Sequence, residues 1–478
     1  MPENIIDELE WRGLIADCTD LPALKKLTTE KKITLYCGFD PTADSLHVGN
    51  LIPLLALRRF QQLGHTPIAL SGGATGLVGD PGGKASERPL LSREDLNRNL
   101  EGIKPQLERL LYFNPNTNSP LLNPAILVDN AEWTAEMKVL DFLRDVGKHI
   151  TINNMLSKEW VRSRLKIKTD SELPIHSMQF IDSNLSESSS PGSGLSYTEF
   201  SYMLIQANDF YHLNKIHGCE LQVAGTDQWG NITAGTELTR KKTGKSVHGL
   251  TFPLLTNADG TKFGKSVAGA IWLNPIKDIP EVKGDVAGNE RRKNGLTKFY
   301  QFWLQTDDRD VIKLLKFFTF LKRGEIDDLE NKLKTKPEQR AAQKALADEM
   351  TVLIHGKDSL QEVRPSEGAE NIFTIESEDL RRLPPDELEK TVIGINVFVW
   401  PDDISKGYPP LVDVLVKGGL VKSKSEARTA ILQGGIYINK TRVPIERAIK
   451  SEDLLKGSIL ILSRGKRNYL SVQFKSHS

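Results

Sequence analysis

Cysteine, histidine and long apolar runs are all scarce in this chain. Its three cysteines, Cys18, Cys37 and Cys219, are too far apart for a disulfide framework or a zinc-binding spacing. Nine histidines are scattered over 478 residues, which gives little support to a structural metal site. No apolar run approaches the ~20 residues that cross a bilayer as a helix. We therefore expect neither a bound metal ion nor a membrane span.

An excess of charge is also missing, since 63 lysines and arginines oppose 62 aspartates and glutamates. This average hides a local pattern, because basic residues gather near the C-terminus. The N-terminus is acidic and lacks both the apolar core of a secretion signal and the arginine richness of a transit peptide. We expect a cytoplasmic protein, and its length allows two to four domains.

The rest of the chain is expected to be arranged around the segment 36–50. Apolar residues alternate over 33–39 and recur at helical spacing from Leu51 on, which predicts a strand, a turn and a helix with Ser45 as its N-cap. Gly49 leaves room for a ligand, and the free N–H groups at such a helix start suit a phosphate. The side chains that could donate beside it are Thr42, His47 and Asn50. The alternative is an ordinary turn with a surface histidine.

A parallel sheet is predicted from further apolar strands over 66–70, 125–128 and 221–225. Strands that alternate with helices form such a sheet, and ligands bind at the carboxyl ends of its strands. The segments that follow the strands are therefore candidates: the glycine run 72–76, Asp129 with Asn130, and residues 226–228. The glycine run could cradle a phosphate or allow close packing. The next loop carries Lys84 and Arg88, which could reach a pyrophosphate or face water.

A helix is predicted to open at Ser196, and it carries three polar residues on one face. Tyr202, Gln206 and Asp209 lie at i, i+4 and i+7. On an otherwise apolar helix these side chains need hydrogen-bond partners. The partners could be one another, in an internal network, or a ligand.

The remaining segments are predicted more coarsely. Residues 1–30 and 131–165 are expected to be helical, 168–193 to be an exposed serine-rich insertion, and 296–356 to form amphipathic helices. From residue 411 the pattern indicates helix, turn, helix and hairpin. This stretch carries basic side chains that could follow a phosphate backbone or simply be solvated. They are Lys417, Lys422, Lys424, Arg428, Lys440, Arg442, Arg464, Lys466 and Arg467.

Two motifs far apart in the chain carry a family resemblance. The turn around His47 and Gly49, and the loop Lys262-Phe263-Gly264-Lys265-Ser266, resemble the paired signatures of class I aminoacyl-tRNA synthetases. The segments between them are similar to the tyrosyl-tRNA synthetases of bacterial type, at residues 36–45, 72–76, 79–81, 206–209 and 225–231. The alternatives are a tryptophanyl or other class I synthetase, a nucleotidyltransferase with the same turn, and a non-catalytic RNA-binding protein derived from a synthetase.

The resemblance implies an α/β fold with three parts. A Rossmann-like parallel-sheet catalytic domain over 1–290 would include a dimer-interface segment at 142–149. An α-helical, anticodon-side domain would cover 291–390, and a linker over 391–408 would lead to a small α+β RNA-binding domain over 409–478. The implied reaction activates L-tyrosine with ATP, releases pyrophosphate and transfers tyrosine to the 3′-terminal adenosine of tyrosine tRNA. ATP with Mg²⁺ would be a substrate, no cofactor would be tightly bound, and the chain would form a homodimer.

The resemblance also assigns residues to each ligand. Those implied around the reacting phosphates are Thr42, His47, Asn50, Lys84, Arg88, Lys262 and Lys265. Those implied around tyrosine are Tyr36 and Asp209 at the phenolic hydroxyl, Asp80, Tyr202 and Gln206 at the ammonium group, and Gln228. Those implied around ATP are Cys37, Gly38, Asp40, His47, Gly49, Gly225, Asp227 and Lys265. Asn50 stands where this family commonly has histidine, and asparagine still supplies an N–H donor.

Overall fold

The computed structural model describes residues 4–80, 91–114, 123–158, 161–162, 196–258, 260, 263–266, 269–277, 288–364, 372, 375–392, 396–401, 407–465 and 468–474. The chain divides into two compact units. The first comprises Met1–Phe263 with Lys316–Phe318, and the second comprises Gly264–Leu315 with Thr319–Ser478. In the described part of the chain, no helix combines the length and the apolar character needed to cross a membrane.

A six-stranded sheet organises the first unit. Its strands are β1 (Asp17–Cys18), β2 (Thr34–Phe39), β3 (Thr66–Ser71), β4 (Ile126–Asp129), β5 (Cys219–Gly225) and β6 (His248–Phe252). They lie in the order β1-β6-β5-β2-β3-β4, and all neighbours run parallel except β1 and β6. The predicted parallel sheet is therefore confirmed. The chain passes outward from β2 to β3 and β4, then returns to the other side of β2 with β5.

The helices described in the first unit are α1 (Ile5–Arg12), α2 (Leu21–Glu30), α3 (Leu51–Gln62), α4 (Thr75–Val78), α5 (Arg93–Leu110), α6 (Ala131–Thr134), α7 (Val139–Asp145), α8 (Ile152–Leu156), α9 (Tyr197–His217) and α10 (Trp229–Thr243). As predicted, α9 opens at Ser196, whose side chain accepts a hydrogen bond from the Glu199 N–H. Buried apolar residues of the sheet, such as Ile68 and Leu70, share a core with Phe210 of α9.

Two predicted helical stretches are shorter and more broken than expected. The single helix predicted over 1–30 is two, because Gly13 ends α1 in a left-handed conformation with φ 73° and Asp20 caps a new start. Between them β1 pairs with β6. The helix predicted over 131–165 is divided into α6, α7 and α8. Helical periodicity predicted that both stretches are helical. The interruptions depend on local capping residues, such as Gly13 and Asp20, which end one helix and start the next.

The second unit begins with a two-stranded ribbon and continues through seven helices among the described residues. The ribbon is β7 (Lys265–Ser266) and β8 (Gly269–Ala270). The helices are α11 (Asn289–Leu304), α12 (Asp308–Phe318), α13 (Arg323–Thr335), α14 (Ala341–His355), α15 (Lys357–Val363), α16 (Ser377–Arg382) and α17 (Pro385–Val392). The last residues of α12 fall within the first unit. Amphipathic helices were predicted over 296–356, and they are confirmed.

The chain ends in a five-stranded sheet with helices on both faces. Its elements are β9 (Asn396–Val399), α18 (Leu411–Lys417), α19 (Lys424–Leu432), β10 (Ile436–Ile438), β11 (Thr441–Arg442), β12 (Ile459–Arg464) and β13 (Asn468–Gln473). The strand order is β11-β10-β12-β13-β9. Alternate residues of β12 enter different cores: Leu460 and Leu462 pack with α18 and α19, whereas Ile459 and Ile461 pack with α16 and α17.

This sheet reaches further back along the chain than the sequence indicates. β9 lies within 391–408, which the sequence assigns to a linker, and it pairs in parallel with β13. α16 and α17 lie within the predicted helical domain 291–390 but cover one face of the C-terminal sheet. The apolar pattern over 392–399 predicts the strand, but a parallel partner more than seventy residues away leaves no local signal.

Candidate active site

A crevice for a ligand is defined where the strand order reverses. β2 and β5 are parallel neighbours, and the chain leaves them toward opposite sides of the sheet. In such sheets ligands bind at the carboxyl ends of the strands beside this reversal. Asp40 follows β2, Gly72 follows β3, Asn130 follows β4 and Asp227 follows β5. The strand-end candidates from the sequence are thus brought to one edge of one sheet.

The turn after β2 is fixed by reciprocal hydrogen bonds at its histidine. Nδ1 of His47 accepts from the Gly49 N–H at 3.0 Å, while Oδ1 of Asn50 accepts from the His47 N–H at 3.1 Å. A 3₁₀ turn over Val48–Asn50 then runs into α3. The expectation that Ser45 caps this helix is wrong, because its hydroxyl donates to the Leu46 carbonyl at 2.8 Å and His47 takes the capping position. With Nδ1 accepting, the ring N–H lies on Nε2 and can donate to a ligand.

Tyr36 and Asp209 are buried at the base of the crevice. The two oxygens of Asp209 accept hydrogen bonds from Asn130 Nδ2 at 3.0 Å and from Trp133 Nε1 at 2.8 Å. Burial raises the pKa of Asp209 to about 7 against the opposing effect of these two donors. Burial, with the Asp209 carboxylate nearby, holds the pKa of Tyr36 well above its ordinary value, so its hydroxyl remains a donor.

A continuous hydrogen-bonded chain joins Asp209 to the turn after β2. Nδ2 of Asn130 lies 3.1 Å from Thr75 Oγ1, which donates to Asp40 Oδ1 at 2.9 Å. Asp40 Oδ2 in turn accepts from the Tyr202 hydroxyl at 3.2 Å. Thr75 and Asn130 lie in the segments after β3 and β4 that the sequence marks as candidates, although no role was assigned to either. Trp133 was missed, because nothing in the sequence distinguishes it.

A second carboxylate is held on the β5 side of the crevice. Asp80 is buried, and its Oδ2 accepts from Gln228 Nε2 at 2.6 Å. Oε1 of Gln228 accepts from Asn231 Nδ2 at 3.0 Å, so a buried asparagine fixes which end of the glutamine amide faces Asp80. Asp227 is exposed beside Gln228.

Several buried polar atoms of this site are left without a protein partner. Among the residues that the structure describes, none forms a hydrogen bond with the Tyr36 hydroxyl or with Oε1 of Gln206. Such atoms are costly to bury unless a ligand satisfies them. The sequence left open whether Tyr202, Gln206 and Asp209 serve an internal network or a ligand. Tyr202 and Asp209 form hydrogen bonds to other elements rather than to each other. Gln206 Oε1 has no partner among the described residues, which favours the ligand over the internal network.

Most of the residues that the resemblance assigns to the nucleotide lie in or just after β2 and β5. Cys37 is buried at the end of β2, and burial raises the pKa of its thiol, so the thiol is neutral. Gly38 is exposed, as are Thr42 and Gly49. A Cβ at Gly225 would lie 2.6 Å from Asp227 Oδ1, so a larger residue there would displace this exposed carboxylate.

Three of the expected phosphate contacts lie outside the described residues: Lys84, Arg88 and Lys262. The backbone of Lys265 lies in β7 of the second unit. The serine-rich insertion over 168–193 is also outside the described residues.

Substituting Gly72 with alanine is expected to disturb this site directly. A Cβ at Gly72 would lie 2.1 Å from Asp40 Oδ1 and 2.6 Å from Thr75 Oγ1, so Asp40 must move and release its bonds. Losing about 1–2 kcal/mol of buried hydrogen bonding predicts a roughly tenfold lower kcat/KM for the amino-acid substrate that the resemblance implies. Steady-state kinetics check this, with Gly324→Ala as the control because nothing lies within 4 Å of its added methyl. Equal kinetics for the two variants would contradict the prediction.

The basic side chains of the C-terminal sheet are largely engaged within it. Lys424, Arg428 and Arg464 form ion pairs with Asp413, Glu446 and Glu426, respectively. Lys417 lies over the Trp400 ring and Lys440 over the Tyr469 ring. Lys466 and Arg467 lie outside the described residues. An RNA backbone would therefore compete with existing partners for several of these cations.

Comparison with known proteins first gives the class. A family model described as tRNA synthetases class I (W and Y) matches residues 28–367, and one described as a tyrosine–tRNA ligase SYY-like C-terminal domain matches residues 401–472. The first match covers the parallel sheet, the crevice and the histidine-capped turn. Fold and site together define a class I aminoacyl-tRNA synthetase.

Individual relatives then give the branch of that class. A Tyrosine–tRNA ligase from Opitutus terrae is 49% identical over 98% of this chain and 99% of its own length, and one from Listeria monocytogenes is 44% identical over 99% and 100%. A C-terminally truncated mitochondrial tyrosyl-tRNA synthetase from Aspergillus nidulans superposes with a TM-score of 0.60 at 30% identity, over 75% of this chain and 92% of that one. The chain belongs to the tyrosine–tRNA ligase family. These relatives give no support to a non-catalytic RNA-binding protein.

Proposed function

We propose that this chain activates L-tyrosine with ATP and transfers the tyrosyl group to the 3′-terminal adenosine of tyrosine tRNA. The observation that carries the proposal is the buried pair of Tyr36 and Asp209, where a hydroxyl donor without a partner among the described residues lies near a positioned carboxylate. Such a pair suits a phenolic hydroxyl, which can accept from Tyr36 and donate to Asp209. A phenylalanine side chain would leave the Tyr36 hydroxyl unpaired and would offer no donor to Asp209.

The ammonium end of tyrosine would lie near the other carboxylate. Asp80 is buried, and Tyr202 and Gln206 approach from one stripe of α9. An ionised carboxylate and neutral oxygen acceptors are the groups that an ammonium ion needs when it leaves water. Gln228, held on Asp80, would then orient the substrate carboxylate toward ATP.

Activation needs no protein nucleophile, because the substrate carboxylate itself attacks the α-phosphate. Catalysis then consists of positioning and of stabilising the charge that builds up on the phosphates. We assign the ribose to Cys37, Gly225 and Asp227, with Gly38, Asp40 and Gly49 along the nucleotide. The remaining assigned residues act on the phosphates: Thr42, His47, Asn50, Lys84, Arg88, Lys262 and Lys265. Mg²⁺ enters with ATP, bound to its phosphates as part of the substrate.

A homodimer is part of this proposal. α7 and α8 leave large apolar side chains in water, among them Val139 and Leu140 at 73% and 79% exposure, with Leu143 and Ile152. A cluster of this kind is typical of a protein interface. It overlaps the segment 142–149, which resembles the subunit interface of the family.

Leu140→Lys is expected to turn the dimer into a monomer at micromolar concentration, because it places a charge where the partner would bury an apolar group. Light scattering after gel filtration measures the mass. Ile216→Lys is the matched control, since Ile216 is also exposed but lies on α9 outside this cluster. If Leu140→Lys keeps the dimer mass, the interface lies elsewhere.

A cytoplasmic location also belongs to the proposal. All three cysteines are unpaired, and Cys37 and Cys219 are buried. Reduced cysteines are typical of proteins in a reducing compartment.

Charging of tRNA tests the proposed function as a whole. Purified protein is incubated with labelled tyrosine, ATP, Mg²⁺ and a tyrosine tRNA transcript, and acid-insoluble label is measured. We expect charging that depends on ATP and fails with phenylalanine. Absence of charged tRNA in a folded, magnesium-supplied sample would overturn the proposal.

A further inference from the structure

Helix α5 contacts the segment that follows β2 at three points. Asn99, Gly102 and Gln106 lie at i, i+3 and i+7, so they share one stripe of the helix. Every one of them meets the loop 41–46, which connects Asp40 to His47. None of the three belongs to the residues that the resemblance assigns to a ligand.

The contacts fix the loop at both ends. Near its start, Nδ2 of the buried Asn99 donates to the Pro41 carbonyl at 2.9 Å. Near its end, Oε1 of Gln106 accepts from the Leu46 N–H at 2.9 Å, and Nε2 lies 3.3 Å from Ser45 Oγ. Two backbone groups of the loop, the Pro41 carbonyl and the Leu46 N–H, therefore find their partners on α5 instead of water.

Between these points the helix and the loop touch through backbone. A Cβ on Gly102 would lie 2.2 Å from the Asp44 carbonyl oxygen, so only glycine allows this approach. Leu96, six residues before Gly102 on α5, packs within 2.7 Å of a Cβ built on Gly76, in the turn that carries Thr75. One helix thus supports the turns after both β2 and β3.

The helix is itself tied to the element that His47 caps. Arg58 of α3 donates through Nη1 to the Leu110 carbonyl at the end of α5, at 2.9 Å. At the other end, Ser92 accepts from the Asp95 N–H and caps α5. Because α3 and α5 are hydrogen-bonded to each other, the loop 41–46 between them has a defined shape before a ligand binds.

We propose that α5 positions the nucleotide end of the site, with Asn99 and Gln106 holding the loop 41–46 so that Thr42 and His47 meet the phosphates of ATP. This inference rests on the proposed function. Asn99 and Gln106 are positioning residues, because they act through the loop and touch no substrate. Misplacing catalytic groups by about 1 Å can lower a rate by about 10²-fold, so these distant contacts matter to the chemistry.

Four variants test this in tyrosine-dependent pyrophosphate exchange, with active sites titrated and thermal unfolding measured in parallel. Gln106→Met keeps the length and removes the bond to Leu46, and Asn99→Leu removes the bond to Pro41 independently. Gln106→Glu restores an acceptor for the Leu46 N–H. Glu101→Met is the matched control, since Glu101 lies on the exposed face of α5.

Gln106→Met and Asn99→Leu are expected to lower kcat/KM for ATP by about 10–100-fold per active site, with KM for tyrosine unchanged. Gln106→Glu should recover part of that loss, and Glu101→Met should match the unmodified chain. A purely structural role would lower the unfolding temperature or the fraction of active sites, leave the ATP parameters per site intact, and overturn the inference. A rise in KM for tyrosine as large as the loss in kcat/KM for ATP would also overturn it. Absence of exchange in the unmodified chain would instead sink the proposed function, and this inference with it.

Discussion

Asp209→Asn is expected to lower kcat/KM for tyrosine in pyrophosphate exchange by ~10²–10³-fold. Both oxygens of Asp209 are occupied by donors, Asn130 Nδ2 and Trp133 Nε1. An amide in this place turns its own NH₂ toward one of those donors and takes an ionised acceptor away from the substrate hydroxyl. The lost charge-assisted bond and the unsatisfied donor together cost about 3–4 kcal/mol.

The control for this variant is Asp7→Asn, which changes an exposed aspartate paired with Lys25 on the surface. Surface pairs contribute little to stability, so this control should behave as the unmodified chain. If kcat/KM for tyrosine is unchanged in Asp209→Asn, the Asp209 carboxylate takes no part in tyrosine recognition.

The same carboxyl gives a pH dependence with a definite sign. Burial raises the Asp209 pKa to about 7, above its ordinary value of 3.8, so the folded protein holds a proton that the unfolded chain has lost between these values. Folding stability should therefore fall as pH rises from about 4 to about 7, by about 4 kcal/mol at most, and then level off. Asp209→Asn should lack this component. Tyrosine affinity should change in the opposite direction, weakening below pH 7 as the acceptor is protonated, and equilibrium dialysis across pH measures it.

His47→Ala is expected to lower kcat of pyrophosphate exchange by ~10²–10³-fold, the usual loss when one preorganised donor to a developing charge is removed. Since Nδ1 accepts from the Gly49 N–H, Nε2 carries the proton that can reach a phosphate. The variant also removes a cap, which costs about 1 kcal/mol of stability. Two roles therefore change together in this variant.

His47→Ser separates the two roles of His47. A serine hydroxyl can accept from the Gly49 N–H and restore the cap, but it is too short to replace Nε2. We expect normal unfolding temperature and the same loss of kcat as in His47→Ala. Recovery of kcat in His47→Ser would show that capping, and not donation to phosphate, explains the effect of alanine.

The sequence predicted the frame of this site because strand ends leave clear local signals. Apolar runs over 66–70 and 125–128, each followed by small or polar residues, located β3 and β4 and the edge where ligands bind. The 3.6-residue period placed Tyr202, Gln206 and Asp209 on one stripe of α9. The individual assignments to tyrosine and ATP rested on resemblance to a family and remain proposals.

What the sequence could not predict depends on contacts between distant segments. Asn130 and Asp209 form a hydrogen bond although they are 79 residues apart in the sequence, and Asn99 and Pro41 do so although they are 58 apart. No short stretch of sequence contains both members of either pair. Ser45 was predicted as the helix cap because serine favours that role, but the 3₁₀ turn moved the cap to His47. The pairing of β9 was hidden for the same reason, since its partner β13 lies more than seventy residues further along the chain.

Amino-acid-dependent ATP–pyrophosphate exchange tests the central claim most directly. The unmodified protein is supplied with Mg²⁺ and ATP, without tRNA, and tyrosine, phenylalanine and tryptophan are compared as substrates. We expect exchange with tyrosine alone, because under the proposed assignment only its hydroxyl can both accept from Tyr36 and donate to Asp209. Equal exchange with phenylalanine, or none with any of the three in a folded sample, would contradict this account of the site.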